Sequence, residues 1–225
     1  MSSWRVVQGD AAPGYWDGLR RLVGEVAAVA YRACKPSGWF WCNFGETTKY
    51  PRTMAELYNE AFAEAGWLMH SRRIWQKRFA QCRLTGAMIH HTIPAAEWEY
   101  LWTFRKPPNS NETHRNKKLS LRGVWTTDDP NGVGRDEHPA VYPVGLPAKA
   151  LEVWTDPGDF VCDLFCGSGS TGVAAVQMGR NFVGFELRGD YCELARRRIA
   201  AAQPPLFADA GHAPAPPAQA AMEVD

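Results

Sequence analysis

The chain has 225 residues, 45% of them hydrophobic, with 25 Lys and Arg against 24 Asp and Glu and a formal net charge of +1. That is enough apolar material for one ordinary globular core, and no run of about 18 apolar residues is present to cross a bilayer. The near-balance of charge excludes a polycation, so any nucleic-acid contact has to come from local clustering. The N-terminus "MSSWRVVQGD" lacks the charged, then apolar, then small-residue order of a secretory signal, and a cytoplasmic protein is expected. Six cysteines, at 34, 42, 82, 162, 166 and 192, form no Cys-x-x-Cys pair and have no His at zinc spacing. Reduced thiols and no metal site are expected.

From Tyr15 to Cys34, the residues Leu19, Leu22, Val23, Val26 and Ala30 recur at helical spacing, and "KPSG" at 35–38 stops the run. "WFWCNF" at 39–44 is short, aromatic and bounded by glycine, which predicts a strand. Thr53 and Glu56 form a capping box ahead of a helix carrying Leu57, Ala61 and Ala65, and Gly66 suits its end. Strands are predicted at 67–75 and 99–104, and the polar stretch rich in Pro, Asn and Gly from Lys106 to His138 reads as a long loop. Beyond it the pattern predicts a helix at about 147–154, a strand at 160–164, a helix at 170–178, a strand at 181–186 and a helix at 190–201. Alternation of this kind predicts an α/β sheet sandwiched by helices. One domain over 1–202 is expected, with a loop or recognition region inserted at about 70–137 and a cofactor half at about 138–202. The tail 203–225, dominated by Pro and Ala, is expected to be disordered.

The chemistry concentrates in "FVCDLFCGSGSTG" and "NFVGFE". The first opens as an apolar strand expected to be buried on both faces, then turns sharply into a helix near Ser170. Gly167 and Gly169 allow a tight turn and close approach to a ligand, where a side chain would clash. Glu186, at the end of the next strand, lies at the distance past the glycine turn where an acid hydrogen-bonds ribose hydroxyls. Asp163 at the first strand's end disfavours a pyrophosphate and suits a cationic or hydroxyl-rich ligand such as S-adenosylmethionine. Asp163, Phe165, Cys166, Gly167, Ser168, Gly169, Ser170, Thr171 and Glu186 are the candidate cofactor residues.

These segments, together with "HPAVYPVGLPAKALEVW" at 138–154, resemble the DNA amino-methyltransferases that methylate adenine N6 or cytosine N4. The 138–154 segment resembles that family's element just before the cofactor loop and adds His138 and Pro143 to the candidate cofactor residues. Upstream, "ACKPSGWFWCNFGE", "AGWLMHSRRIWQK" and "EWEYLWTFRKP" extend the resemblance over most of residues 15–201. It implies a Rossmann-like three-layer sandwich in a permuted order, with S-adenosylmethionine as cofactor and double-stranded DNA as substrate in restriction-modification. The implied chemistry is direct attack by the exocyclic amino nitrogen of a flipped-out base on the sulfonium methyl group, which requires no enzyme nucleophile.

Members of that family hold the amino group with a loop of Asp, Ser or Asn, then Pro-Pro, then Tyr, Phe or Trp. No such loop is found: the Pro-Pro pairs at 107, 204 and 216 have the wrong neighbours. Where it belongs stands "WRVVQGDAAPGYWDG", and two readings are open. Either "WRVVQGD" is the family's opening strand and the catalytic loop with its central strand is missing, or "RVVQ" is that strand and "DAAPGY" a degenerate loop with Asp10 or Tyr15 as the remaining catalytic candidates. Deletion of the loop, or an incorrectly assigned start, is the expectation over a working degenerate loop. A lost strand would leave unpaired backbone at about 1–3 kcal/mol per group, which a homodimer or a completing partner chain could relieve.

The runs "HSRRIWQKRFAQCR" and "THRNKKLSLR" hold five and four Lys or Arg without an acid. If the resemblance holds, Arg115, Lys117, Lys118 and Arg122 are the candidate DNA contacts, with Arg72, Arg73, Lys77 and Arg78 behind them because some should sit in a strand. Three functions compete: an active DNA amino-methyltransferase, a defective or truncated member that binds S-adenosylmethionine or DNA without methyl transfer, and a methyltransferase for RNA or protein. The "HPAVYP" element weighs against the third.

Overall fold

A computed structural model describes residues 14–45, 53–77, 98–108, 120–127, 143–203 and 221–223. The chain divides into two compact units, one built mainly from residues 3–113 with 122–126, the other mainly from 127–225 with 114–121.

In the first unit, α1 (Tyr15–Ala33) and α2 (Met54–Glu64) accompany a four-stranded sheet made of β1 (Trp39–Phe44), β2 (Leu68–Gln76), β3 (Trp98–Arg105) and β4 (Val124–Thr126). The strand order is β1-β3-β2-β4, antiparallel except for the β2–β4 pair. The expected capping box is present: the Glu56 N–H donates to the Thr53 hydroxyl at 3.1 Å and the Thr53 N–H to the Glu56 carboxylate at 2.9 Å. Because side chains alternate along a strand, Phe40, Cys42 and Phe44 share a face with Tyr100, Trp102 and Phe104. That face packs on α2, where Phe62 stacks on Phe104 at 4.2 Å and Tyr58 on Phe44 at 4.2 Å. Trp67 is buried between α1 and α2, and its indole N–H donates to the Ala27 carbonyl oxygen at 3.0 Å.

The second unit contains α3 (Gly145–Trp154), β5 (Phe160–Asp163), α4 (Ser170–Gln177), β6 (Asn181–Phe185) and α5 (Gly189–Ala202). A short strand β7 (Ala221–Glu223) completes a parallel sheet in the order β5-β6-β7. Its core joins Leu151 of α3, Val173 to Val176 of α4, Phe182 of β6 and Cys192, Ala195 and Ile199 of α5. Arg180 locks the turns together: its guanidinium donates to the Thr155 hydroxyl and carbonyl oxygens at 3.0 and 2.8 Å, and to the Met178 carbonyl oxygen.

Three expectations change. Residues 124–126 form a strand inside the expected long loop, because Trp125 inserts beside Trp75 and is almost fully buried. Residues 221–223 are paired to β6 within the tail expected to be disordered. β5 is not buried on both faces: Phe160 is 82% exposed and Cys162 is exposed, while Val161 and Asp163 are half-buried. Among the described residues β5 pairs only with β6, and β1 only with β3. Each is therefore an edge strand there, and the central strand that the resemblance implies beside residues 160–164 is not among the described elements.

Candidate functional site

The turn between β5 and α4 is built by two left-handed glycines, Gly167 at φ 51° and Gly169 at φ 81°. Gly167 is half-buried and its N–H donates to Glu186 Oε2 at 3.1 Å, while Glu186 Oε1 accepts the Arg188 N–H at 2.9 Å. One carboxylate thus ties the glycine turn to the end of β6. The Cys166 N–H donates to the Phe185 carbonyl oxygen at 2.9 Å, and the Cys192 thiol to the Glu186 carbonyl oxygen at 3.4 Å, which hold the same two segments in register.

Asp163 accepts from the Phe165 N–H at 3.0 Å and from the Thr171 hydroxyl. Burial pushes its carboxyl above the usual carboxylate range; the two hydrogen bonds work against that rise and the Glu186 charge adds to it. Two acids therefore share one field at the mouth of the turn, an arrangement that a cation relieves. Phe165 and Leu187, 46% and 68% exposed, follow these acids by two positions and by one. The two carboxylates, as acceptors, fit a ligand with ribose hydroxyls and a positive centre, as S-adenosylmethionine has, and their charge opposes a pyrophosphate.

A carboxyl whose folded pKa lies above its unfolded value of about 3.9 makes the folded state the better proton binder. Stability is then lost as pH rises through that window, and the loss is complete above the folded pKa. Asp163→Asn is expected to abolish this contribution, so the ligand-free protein gains stability at neutral pH. Urea midpoints at about pH 4 and about pH 7.5 test this; an identical change in variant and parent would assign the window to other carboxylates.

Other predicted residues fall differently. The missing Cβ of Gly169 is opposed by Ala195, 2.9 Å from its Cβ and 3.0 Å from its Cα, so this glycine is required by packing against α5. Cys166 and Cys192 are buried, and burial pushes both thiols up, which leaves them poor nucleophiles. Pro143 is buried at the start of α3, its carbonyl oxygen accepting the Leu146 N–H at 3.0 Å. Tyr15 is the first residue of α1. Asp10, His138, Arg115, Lys117, Lys118 and Arg78 lie outside the described residues. Of the basic candidates, Arg122 is exposed. Arg73 is buried with its guanidinium over Trp125, the exposed Arg72 lies over Trp102, and Lys77 pairs with Glu99. Sequence reasoning passed over Arg198, which donates into the turn from α5; its only signal is the helical spacing that puts it on one face with Ala195.

Residues 11–197 match the model of the N6_N4_Mtase family, DNA methylase. The chain belongs to this DNA methylase family. It is 34% identical over 152 residues to the Type II methyltransferase M.BglI of Bacillus subtilis, a match covering 64% of this chain and 42% of that protein. To the Type II methyltransferase M2.DpnII of Streptococcus pneumoniae it is 26% identical over 183 residues, covering 77% and 64%. This DNA methylase chain thus spans 42% and 64% of the lengths of those two curated relatives. Among solved structures, the modification methylase TTHA0409 of Thermus thermophilus in complex with S-adenosyl-L-methionine aligns with a TM-score of 0.65 at 20% identity, over 86% of this chain and 82% of that one. The cytosine-N4-specific PvuII DNA methyltransferase aligns at 0.64 and 21% identity, over 88% and 72%. At these identities the likeness establishes the α/β methyltransferase fold. No helix among the described residues is long and apolar enough to cross a membrane.

Proposed function

We propose that this chain is an S-adenosylmethionine-dependent methyltransferase acting on an exocyclic amino group, adenine N6 or cytosine N4, in double-stranded DNA. The observation that carries the reading is the turn itself, where Glu186 holds the Gly167 N–H and shares its field with Asp163, inside a segment matching the DNA methylase family. The cofactor, when bound, supplies an electrophilic methyl group. The chain's residues would do the rest: Glu186 offers its remaining lone pairs to ribose hydroxyls, Gly167 admits the ligand to the backbone, and the paired acids favour its positive charge. Proposed DNA contacts are Arg115, Lys117, Lys118 and Arg122, and the sites extend to His138 and Pro143 by the same resemblance.

A second reading has its own support. No Asp, Ser or Asn followed by Pro-Pro and an aromatic residue occurs anywhere in the sequence, so nothing recognisable holds the amino group of a flipped base. On that reading the chain binds S-adenosylmethionine or DNA without transfer, or a second copy or partner chain supplies the missing loop. Transfer of a labelled methyl group to unmethylated duplex DNA by the full chain, with cofactor binding measured alongside, separates them. Transfer, the expected result, would make Asp10 and Tyr15 the next substitutions; binding without transfer would overturn the catalytic reading and leave the cofactor site standing.

A further inference from the structure

Arg198 lies on α5 and reaches the middle of the glycine turn. Its Nη1 donates to the Ser168 carbonyl oxygen at 2.6 Å and to the Ser168 hydroxyl at 2.8 Å, and its Nη2 to the Ser170 hydroxyl at 3.5 Å. Ser168 and Ser170 are 4% and 3% exposed. We propose that Arg198 is a positioning residue for the cofactor turn: it fixes the backbone of 167–170 in its ligand-accepting shape and takes up the hydroxyls of Ser168 and Ser170. This rests on the reading of that turn as the cofactor site.

Two glycines flank Ser168, both left-handed, and glycine leaves that region at little cost. One hydrogen bond closes the turn from within, the Gly169 N–H donating to the Cys166 carbonyl oxygen at 2.7 Å, and Glu186 holds its Gly167 end; the Ser168 peptide between the two glycines is held by Arg198. The Ser168 carbonyl precedes α4, so the helix ladder gives its oxygen no role, and a buried carbonyl demands a donor. α5 meets the need with residues three and four apart on one face: Ala195 presses on Gly169, Arg198 binds Ser168, and Ile199 fills the space beside Gly172. A guanidinium near the N-terminus of α4 is disfavoured by the helix dipole. Its position is explained by the hydrogen bonds rather than by the field. Ser168 and Ser170 then belong to the support of the site and not to its ligand-touching surface, which takes these two out of the candidates for direct cofactor contact.

The test uses the full chain and its Arg198→Gln and Arg198→Lys variants. Hydrogen–deuterium exchange without ligand is read over 165–171, S-adenosylmethionine and S-adenosylhomocysteine affinities are taken by calorimetry, and kcat and KM are taken where transfer occurs. In R198Q, exchange rises in the turn while β6 and the centre of α5 keep their protection, and affinity for both ligands falls by roughly tenfold or more. The loss appears in KM and leaves kcat in place, and R198K recovers part of it because an ammonium keeps the charge and some of the donors. Unchanged turn exchange and unchanged affinity in folded R198Q would overturn the proposal. If the parent chain bound neither ligand, the cofactor reading would fail by itself, and exchange would still decide whether Arg198 holds the turn. Should R198Q not fold, R198K carries the test, because an ammonium lacks the two-nitrogen fork that reaches Ser168 and Ser170: faster exchange in the turn supports the clamp, and exchange and affinity equal to the parent's overturn it.

Discussion

Replacing Glu186 with alanine is expected to weaken S-adenosylmethionine binding by roughly 10- to 150-fold, the equivalent of about 1.5–3 kcal/mol for hydrogen bonds to a charged acceptor. The carboxylate holds the Gly167 N–H through one oxygen and the Arg188 N–H through the other. A carboxylate offers about four acceptor positions, so ribose hydroxyls can be taken on without releasing either backbone group. Alanine removes the acceptors for the ligand and the brace for the turn together. Glu186→Gln keeps one acceptor oxygen and loses the charge, and an intermediate affinity is expected. The end of β6 should survive both changes, since the Cys192 thiol bonds the backbone oxygen of residue 186 and not its side chain. Calorimetry on the three proteins gives the answer, and unchanged affinity in folded E186A would remove this residue from the site.

Much of the second unit could be read from the chain because its signals are local. The helix at 189–202 and the strands at 160–163 and 181–185 end within a residue or two of their expected bounds, where glycines and changes of hydrophobic period punctuate the sequence. The Thr53–Glu56 capping box is likewise complete within four residues. What was not legible depends on partners far away in sequence. A strand of three residues at 124–126 carries no periodicity of its own, and its existence follows from pairing with β2. Burial of Arg73 follows from the same pairing: alternation puts it on the face of Trp75, where Trp125 from β4 lies against its guanidinium and the Ser71 hydroxyl accepts from it. A run of basic residues that looked like one group in sequence is therefore split between the sheet interior and its surface.

The site divides in the same way. Residue types announced the turn: glycines for positive φ, an acid at each strand end, and a helix start behind them. The division of labour among those residues was hidden. Ser168 and Ser170 look like ligand hydroxyls in a linear reading, yet the structure gives both to Arg198, thirty and twenty-eight positions away. Gly169 looks like a point of ligand approach, yet what fills the space of its absent side chain is α5.

That last assignment carries a large expected effect on stability. Gly169→Val is expected to destabilise the protein by about 2–5 kcal/mol, from two additive causes. A left-handed conformation costs an L-residue about 1–2 kcal/mol, and forcing carbon into a filled interior about 1–3 kcal/mol. The interior term cannot be relieved by swinging a flexible side chain, because two of the opposing atoms are the Cα and Cβ of Ala195, at 3.0 and 2.9 Å. The helix itself would have to move, and it carries Cys192 and Ile199 of the same core. Gly14 separates the two causes: it has φ 83° and, among the described residues, no atom lies within 4 Å of where its Cβ would stand, so Gly14→Val is expected to bear the conformational cost alone. Urea unfolding of both variants, each followed by a probe in its own unit, should show the larger loss at Gly169 by about the interior term. An equal loss at the two glycines would mean that α5 yields at Ala195 without cost, and the turn would then owe its shape to Glu186 and Arg198 rather than to close packing against the helix.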